Sequence, residues 1–537
     1  MTDLATIHEA LWLYLTAPII VLSAIYVTVR LKAPQITRIG QAFRALRETD
    51  PEAPGDVPSG TPAILATAAS VGAAAAVGAA TAVGLGGPGA LFWVWVFAFL
   101  LAPLGYAEVV LARTNAPGKN DPEASGSLTR RLIHQGGTAR ILGMVLLVLL
   151  AITGFAFVGG VHGGALTDAS LALLPDGAAA VGYGVAGGAA ALALLGLRRG
   201  GVVAGWLAAA ALVTLAAACI LAIVGAPGRA FGAIPRAVSE AFSGAPIAEP
   251  WIGAAVGEIF VAALLFAVPP LSAGTGALGG LYGAARAQTT RRLAATALLG
   301  PFLYAIIATL LVMAFVGSGG YYHRADTSRP FSEIGVYGSP FASQAERDDP
   351  GRVHTGYLRI VDGTARDLAL FFATDQGMVR DARFEFRGNP ADVALHFTDG
   401  RVERMLRPRD GTLVEVDMDQ ELGDLVIKGR MLPEGGGLLA SSFSRGSGAD
   451  LAGRLALVAL LLLLAVGAAA FGLALGRGLP AGAPAWAAPA LSLLPAAGIA
   501  VAGAAIVPSF GLIGGLAAGL SSAAAAILIA SRAREAS

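Results

Sequence analysis

The chain is short of several things at once, and each shortage excludes a class of chemistry. Its 537 residues include one cysteine, Cys219, so no disulfide framework holds the fold and no thiol pair is available for metal or redox work. Lysine occurs three times, at Lys32, Lys119 and Lys428, and charged residues make up 14% of the chain. The net charge of +1 averages a basic side and an acidic side, and no nucleic-acid partner is expected. Histidine is scarce too. His323, His354 and His396 do not fall at metal-ligand spacings. Asp417, Asp419 and Glu421 resemble a calcium loop only faintly, because the glycine is displaced and Lys428 stands where the closing glutamate belongs. No Ser-His-Asp set, His-Glu-x-x-His or phosphate loop is present, so the chain does not read as an enzyme and no metal site is expected.

What it has in abundance is apolar surface. Mean hydropathy is +0.68 and 55% of residues are hydrophobic, the composition of a polytopic protein whose main partner is the lipid bilayer. About eleven apolar runs reach bilayer length, centred near Pro18, Gly72, Leu101, Leu150, Gly187, Leu212, Ala262, Ile306, Leu463, Ala497 and Ala518. Loops after odd spans carry the arginines: Arg38, Arg44 and Arg47, then Arg113 and Arg130, then Arg198, Arg286 and Arg477. Loops 84–89 and 161–176 carry no Arg or Lys, and the loop around Gly225–Pro250 has only Arg229 and Arg236. By the positive-inside rule the N-terminus lies outside and the C-terminus in the cytoplasm. No Lys or Arg precedes Arg30, so residues 11–29 are expected to stay as a span. The wealth of Arg, Ala, Gly and Pro fits a GC-rich bacterium and its inner membrane.

A leading span followed by two groups of five is the arithmetic of an inverted repeat, with the first helix of each group broken. The span near Gly72 carries Gly72, four alanines and Gly78, and the one from Trp251 to Gly276 is interrupted by Pro269-Pro270. Two consecutive prolines remove two backbone donors and break a helix.

Three further features stand in order. Gly86-Gly87-Pro88-Gly89-Ala90 forms a turn, Phe92-Trp93 and Trp95 follow, and Glu108 precedes Leu111-Ala112. In these, and more weakly at Ala273–Gly276 and Leu299–Phe302, the chain resembles the alanine/glycine:cation symporter family over about residues 25–316. The resemblance implies an all-α, LeuT-like 5+5 inverted repeat behind one leading helix, with alternating access and symport of a small amino acid with a cation. Gly86, Gly87, Pro88, Gly89, Phe92, Trp93 and Glu108 match its motif. The chain departs from the pattern at Gly72–Ala76, where the family writes Gly-Thr-Gly-Asn-Ile, and at Pro270–Gly274, where it writes Ser-Asn-Glu-Ala-Gly. Alanine offers no side-chain ligand to a hard cation, which needs oxygens.

The candidate substrate and ion pathway therefore comprises Ser70, Gly72, Ala73, Ala75 and Gly78 at the first break and Ser272, Gly274, Thr275 and Gly276 at the second. Glu258 lies about two turns into the second broken span, a depth at which an acid is a functional candidate, with Arg229 or Arg236 as alternative capping partners. Sodium or a proton is the coupling ion to consider, and no other cofactor is expected.

Residues 317–450 differ from everything around them. Positions 321–450 hold 16 basic and 21 acidic side chains, a net of −5. Runs 355–361, 368–373, 383–387, 393–398, 413–416 and 425–428 read as strands, with turns at Asp362-Gly363, Asp399-Gly400 and Asp410-Gly411. This predicts an extracytoplasmic β-rich domain between membrane regions 1–316 and 451–537. Two functional classes remain open: a cation-coupled carrier, and a transporter-fold scaffold or receptor whose external domain binds a ligand or protein partner.

Overall fold

The computed structural model describes residues 10–47, 57–71, 78, 82–83, 87–114, 127–161, 163, 177–243, 247–248, 251–252, 260, 263, 276–287, 289–319, 325–338, 353–367, 369–373, 377–409, 412–431, 439, 442–444, 450–480, 482–504 and 508–536. Among these, seven helices are long and apolar enough to cross a membrane. We number the main helices α1 (Trp12–Arg30), α2 (Ile39–Arg47), α3 (Gly60–Val71), α4 (Gly89–Thr114), α5 (Gly137–Val161), α6 (Ala178–Leu194) and α7 (Val202–Gly225). There follow α8 (Pro227–Ser243), the one-turn α9 (Gly279–Tyr282), α10 (Thr290–Ser318), α11 (Asp450–Gly476), α12 (Ala487–Ala504) and α13 (Pro508–Ser531). The predicted spans near Pro18, Leu101, Leu150, Leu212, Ile306, Leu463 and Ala518 correspond to the long helices, while those near Gly187 and Ala497 fall on the shorter apolar α6 and α12. Of the span near Gly72 the structure describes α3, and most of the span near Ala262 lies outside the described residues.

Two expectations need correction. Trp251 does not open a helix: Trp251–Ile252 pairs antiparallel with Ile247–Ala248. Ile247, Trp251 and Ile252 are β-branched or aromatic residues, which favour the paired extended backbone seen here. The stretch between Gly225 and Pro250, read as a loop, contains α8, whose buried alanines recur at Ala230, Ala233, Ala237 and Ala241, one face of a helix. Within that helix Arg236 pairs with Glu240, Nε to Oε1 at 2.7 Å, while Glu258 lies outside the described residues.

Lipid tails are as apolar as leucine, so helices in a bilayer associate through close contact rather than through the hydrophobic effect. The buried stripe of α7 is Ala204, Ala208, Ala211, Leu215, Ala218, Cys219 and Ala222, small enough to bring it against α11. Helix α5 widens to i→i+5 turns over Thr153–Val161, and this segment packs on α12 and α13. A Cβ built on Gly498 would stand 2.0 Å from the Phe155 carbonyl oxygen, and one on Gly159 would stand 2.3 Å from that of Pro495. The two backbones touch because neither residue has a side chain.

Between α10 and α11 the chain changes regime. Its strands are β1 (Ala325–Pro330), β2 (Ile334–Tyr337), β3 (Gly356–Val361), β4 (Thr364–Ala365), β5 (Leu370–Ala373) and β6 (Gly377–Met378). They continue as β7 (Arg380–Phe386), β8 (Asn389–Pro390), β9 (Val393–Thr398), β10 (Arg401–Arg409), β11 (Thr412–Val416) and β12 (Leu425–Met431). They form sheets in the orders β8-β7-β12-β1, β11-β10-β9-β3-β4 and β2-β5-β6. Phe384, Phe386, Leu425 and Ile427 of the first sheet share one core with Leu358, Ile360, Leu395, Phe397 and Met405 of the second, and Phe331 bridges them. This cluster is separate from the one formed by the helices. Asp362-Gly363 and Asp399-Gly400 have positive φ at both residues (51° and 66°, 49° and 75°), as tight hairpin turns require. Asp410-Gly411 lies outside the described residues. Charged side chains pair across the outer faces. Asp367 accepts from the Arg359 guanidinium at 3.0 Å and from its backbone N–H at 2.7 Å, and these bonds hold its carboxyl below the usual range.

A bulky residue at Gly498 should force α5 and α12 apart. Gly498→Val is expected to lower stability by about 1–3 kcal/mol, the ordinary consequence of overpacking. Gly187→Ala, where an added Cβ meets nothing within 4 Å, should be neutral. Thermal unfolding of the detergent-solubilised protein, followed by monodispersity, distinguishes the two.

Candidate functional site

The Gly-Gly-Pro-Gly turn is a helix stop joined to a helix start. Gly87 has φ +73° and donates its N–H to the Val83 carbonyl at 2.9 Å, the left-handed cap that closes a helix. Pro88 follows, and its fixed φ and missing N–H suit the first turn of α4. Trp95 Nε1 then donates to Thr309 Oγ1 on α10 at 2.9 Å. Phe92 packs edge-on against Phe242 of α8, with ring centroids 4.9 Å apart. Trp93 packs edge-on against Phe260, also at 4.9 Å, and Phe260 belongs to the segment holding the second predicted break.

At the other end of α4 lies Glu108, 2% exposed. Its Oε1 accepts the backbone N–H of Gly279 at 2.7 Å, and the Gly276 amide is a second backbone donor facing the same carboxylate. A Cβ on Gly279 would come within 2.8 Å of that oxygen, so a larger residue there would have to displace the carboxylate. Gly276, with φ +92°, is wedged against α13, where its Cβ would meet that of Ala525 at 2.7 Å. One turn further on, Arg113 Nη1 donates to the carbonyls of Tyr282 at 3.1 Å and Ala285 at 3.0 Å. Helix α9 is thus held at its amino end by an acid and at its carboxyl end by a base, each complementing the partial charge of that end. Both come from α4.

A third tie completes the arrangement. Val57 N–H donates to Ala284 O at 3.2 Å, and Arg286 N–H donates to Val57 O at 2.8 Å. The chain entering α3 and the chain leaving the second predicted break are therefore joined as a short parallel bridge. Sequence reasoning treated Arg113 as a topological charge and passed over Val57. A base within one helical turn of the Glu108-Val109-Val110-Leu111 run was the available signal for the first, and nothing in the sequence marked the second.

Of the predicted pathway residues, Ser70 lies in the last turn of α3, Gly78 is a buried helical residue, and Gly276 meets Glu108 as described. Gly72, Ala73, Ala75, Glu258, Ser272, Gly274, Thr275 and the motif residue Gly86 lie outside the described residues. Thr153 and Ser521 form a buried hydroxyl contact at 3.2 Å between α5 and α13. Among the described residues no group of three or more His, Cys, Asp or Glu side chains could hold a metal.

Glu108→Leu should leave the Gly279 N–H without an acceptor in a buried place, a loss of roughly 1–3 kcal/mol. Glu108→Gln keeps an acceptor oxygen and should lose less. Hydrogen exchange across 276–286 is the direct readout, and Arg113→Ala should raise exchange at its far end rather than at Gly279.

The sodium:alanine symporter family model matches residues 2–332. The sodium/alanine symporter AgcS of Methanococcus maripaludis is 28% identical over 323 residues, 58% of this chain and 70% of the relative. An uncharacterised transporter of Haemophilus influenzae is 33% identical over 112 residues, 20% of this chain and 24% of its own. The probable sodium/glutamine symporter GlnT of Bacillus subtilis is 30% identical over 107 residues, 20% of this chain and 22% of its own. The model match takes in the glycine-proline turn, Glu108 and the segment Glu108 holds, and with them the chain belongs to the sodium:alanine symporter family.

Proposed function

We propose that the protein is a sodium-coupled symporter of small amino acids, alanine or glycine among them, working by alternating access. The observation that carries this reading is the family match across residues 2–332, which takes in both predicted breaks and the ties around Glu108.

The reading includes a LeuT-like 5+5 inverted repeat, in which α3 to α7 correspond in order to the 251–276 segment, α10, α11, α12 and α13. What supports it is that contacts recur when the halves are exchanged. Helix α5 packs on α12 and α13, and its counterpart α11 packs on α6 and α7. The self-exchanging pairs, α4 with α10 and α6 with α12, also pack together. The assigned topology is supported by loops expected on the cytoplasmic side meeting one another. Arg532 Nη2 donates to Gln135 Oε1 at 3.0 Å, and Thr129 Oγ1 to Gly478 O at 3.3 Å. With that topology, residues 317–450 form an extracytoplasmic domain.

At the breaks, backbone amides bind the substrate carboxylate and free carbonyls bind the ion. Ser70, Ser272, Thr275 and Glu258 supply the side-chain oxygens that Ala73 to Ala76 lack.

Purified protein in proteoliposomes should accumulate labelled glycine or L-alanine when an inward sodium gradient is applied, and Glu258→Gln should slow this at least severalfold. Accumulation driven equally by a proton gradient would move the coupling ion from sodium to the proton. No gradient-driven accumulation, with insertion and orientation verified, would overturn the carrier reading.

A further inference from the structure

Helix α8 is dressed in three sectors, which emerge when its residues are placed at 100° per residue. Ala230, Ala233, Ala237, Glu240 and Ala241 are buried and face the protein, where α8 packs on α4 and α10. Arg229, Ser239 and Ser243 are exposed and occupy a second, polar sector, together with the half-exposed Arg236. Phe231, Ile234, Val238 and Phe242 occupy the third, and they are exposed by 59%, 37%, 45% and 61%. A surface helix in water puts its large apolar residues inward. Here the small residues go inward and the large apolar ones stay largely exposed among the described residues.

What covers them is indicated by the helix before. Exposed residues of α7 include Val203, Trp206, Ala210, Val213, Ala217, Ile220 and Val224, a stripe at alternating steps of three and four, with Leu221 beside it and Gly225 just beyond its end. On a helix long and apolar enough to cross a membrane, such a stripe faces acyl chains. It ends at Val224, the chain turns at Ala226, and the apolar sector of α8 begins at Phe231. The lipid-facing stripe of α7 is thus followed directly along the chain by the apolar sector of α8, which is bordered by a sector of serine and arginine suited to water and headgroups.

We propose that α8 lies in the outer-leaflet interface with Phe231, Ile234, Val238 and Phe242 inserted among lipid acyl chains. The helix is thereby a three-way junction of lipid, water and protein. Its protein face is anchored by Glu240, which accepts from Arg236 at 2.7 Å and faces the Gly89 amide at the start of α4. Phe242 is both the last apolar residue of the lipid sector and the ring that touches Phe92, at 4.9 Å, and Trp93, at 6.0 Å. The inference rests on the membrane topology proposed above and not on transport.

Cys219 is the single cysteine and is fully buried, so Cys219→Ala gives a background for single-cysteine labelling of the full chain. Phe231→Cys, Ile234→Cys, Val238→Cys and Phe242→Cys would each carry an environment-sensitive fluorophore in vesicles of brominated phosphatidylcholine. Arg229→Cys and Ser243→Cys serve as polar-sector controls. The expected result is strong quenching by bromine at the four apolar positions with little effect of aqueous iodide, and the reverse at the controls. Iodide quenching at the apolar positions would overturn the proposal by placing them in water. Protection from both quenchers would overturn it by placing them under protein, whether a second copy or another part of this chain. Phe231 and Ile234 lie away from the Phe92 contact, so they report even if substitution at Phe242 perturbs folding, and none of these readouts requires uptake to occur.

Discussion

A backbone amide at bilayer depth must find its acceptor inside the protein, because neither lipid nor bulk water will supply one. A regular helix meets that demand by itself. The ends of a short helix do not, and the structure shows how those of α9 are satisfied. The amide of Gly279 meets the carboxylate of Glu108, the carbonyls of Tyr282 and Ala285 meet Arg113, and the strand edge beyond meets Val57. Two charged side chains in an apolar surrounding are expensive in isolation. Used as caps on the two ends of one helical turn, each charge is matched by the backbone dipole it faces.

The two halves of the molecule obey different solvents. The helices sit together through glycine and alanine, as where Gly498 lets α12 rest on the Phe155 carbonyl. Here the gain is contact, and a single added methyl group is felt directly. The strands between α10 and α11 are built for water instead. Phenylalanines fill the space between two sheets, and Arg359, Arg387 and Arg430 pair with Asp367, Asp424 and Asp381 on their outer faces. Exposed ion pairs of this kind add little stability each, so the sandwich is held by its apolar core.

Legibility in the sequence follows the same division. Long apolar runs such as Asp450–Gly476 declare themselves, and so does Val393–Thr398, whose buried positions run up to the Asp399-Gly400 turn. The Gly87-Pro88 stop and start was readable because each residue there has one backbone role. Arg401–Arg409 was missed as a strand because only Met405 is fully buried and the remaining positions are dominated by arginine. Helix α8 was missed because its arginines and prolines suggested a loop, while its alanine face is weak evidence in a chain so rich in alanine. At the site, Glu108 could be singled out from its motif, but its partner could not. Gly279 lies 171 residues away and contributes only its backbone, and no side-chain pattern announces a backbone donor.

Helix α4 carries Phe92 and Trp93 near one end and Glu108 and Arg113 near the other. Sixteen residues of helix separate Phe92 from Glu108, about 24 Å. The one-turn helix at Gly279 cannot slide along α4 without giving up the bonds from both charged side chains. It is splinted to α4, a single helix that carries Pro103 between its aromatic end and Glu108. A proline inside a helix removes a backbone bond and admits a bend there. Both ends of the segment that runs from Phe260 to Gly279 are therefore held by one helix, and a change of bend at Pro103 changes the distance between the two grips.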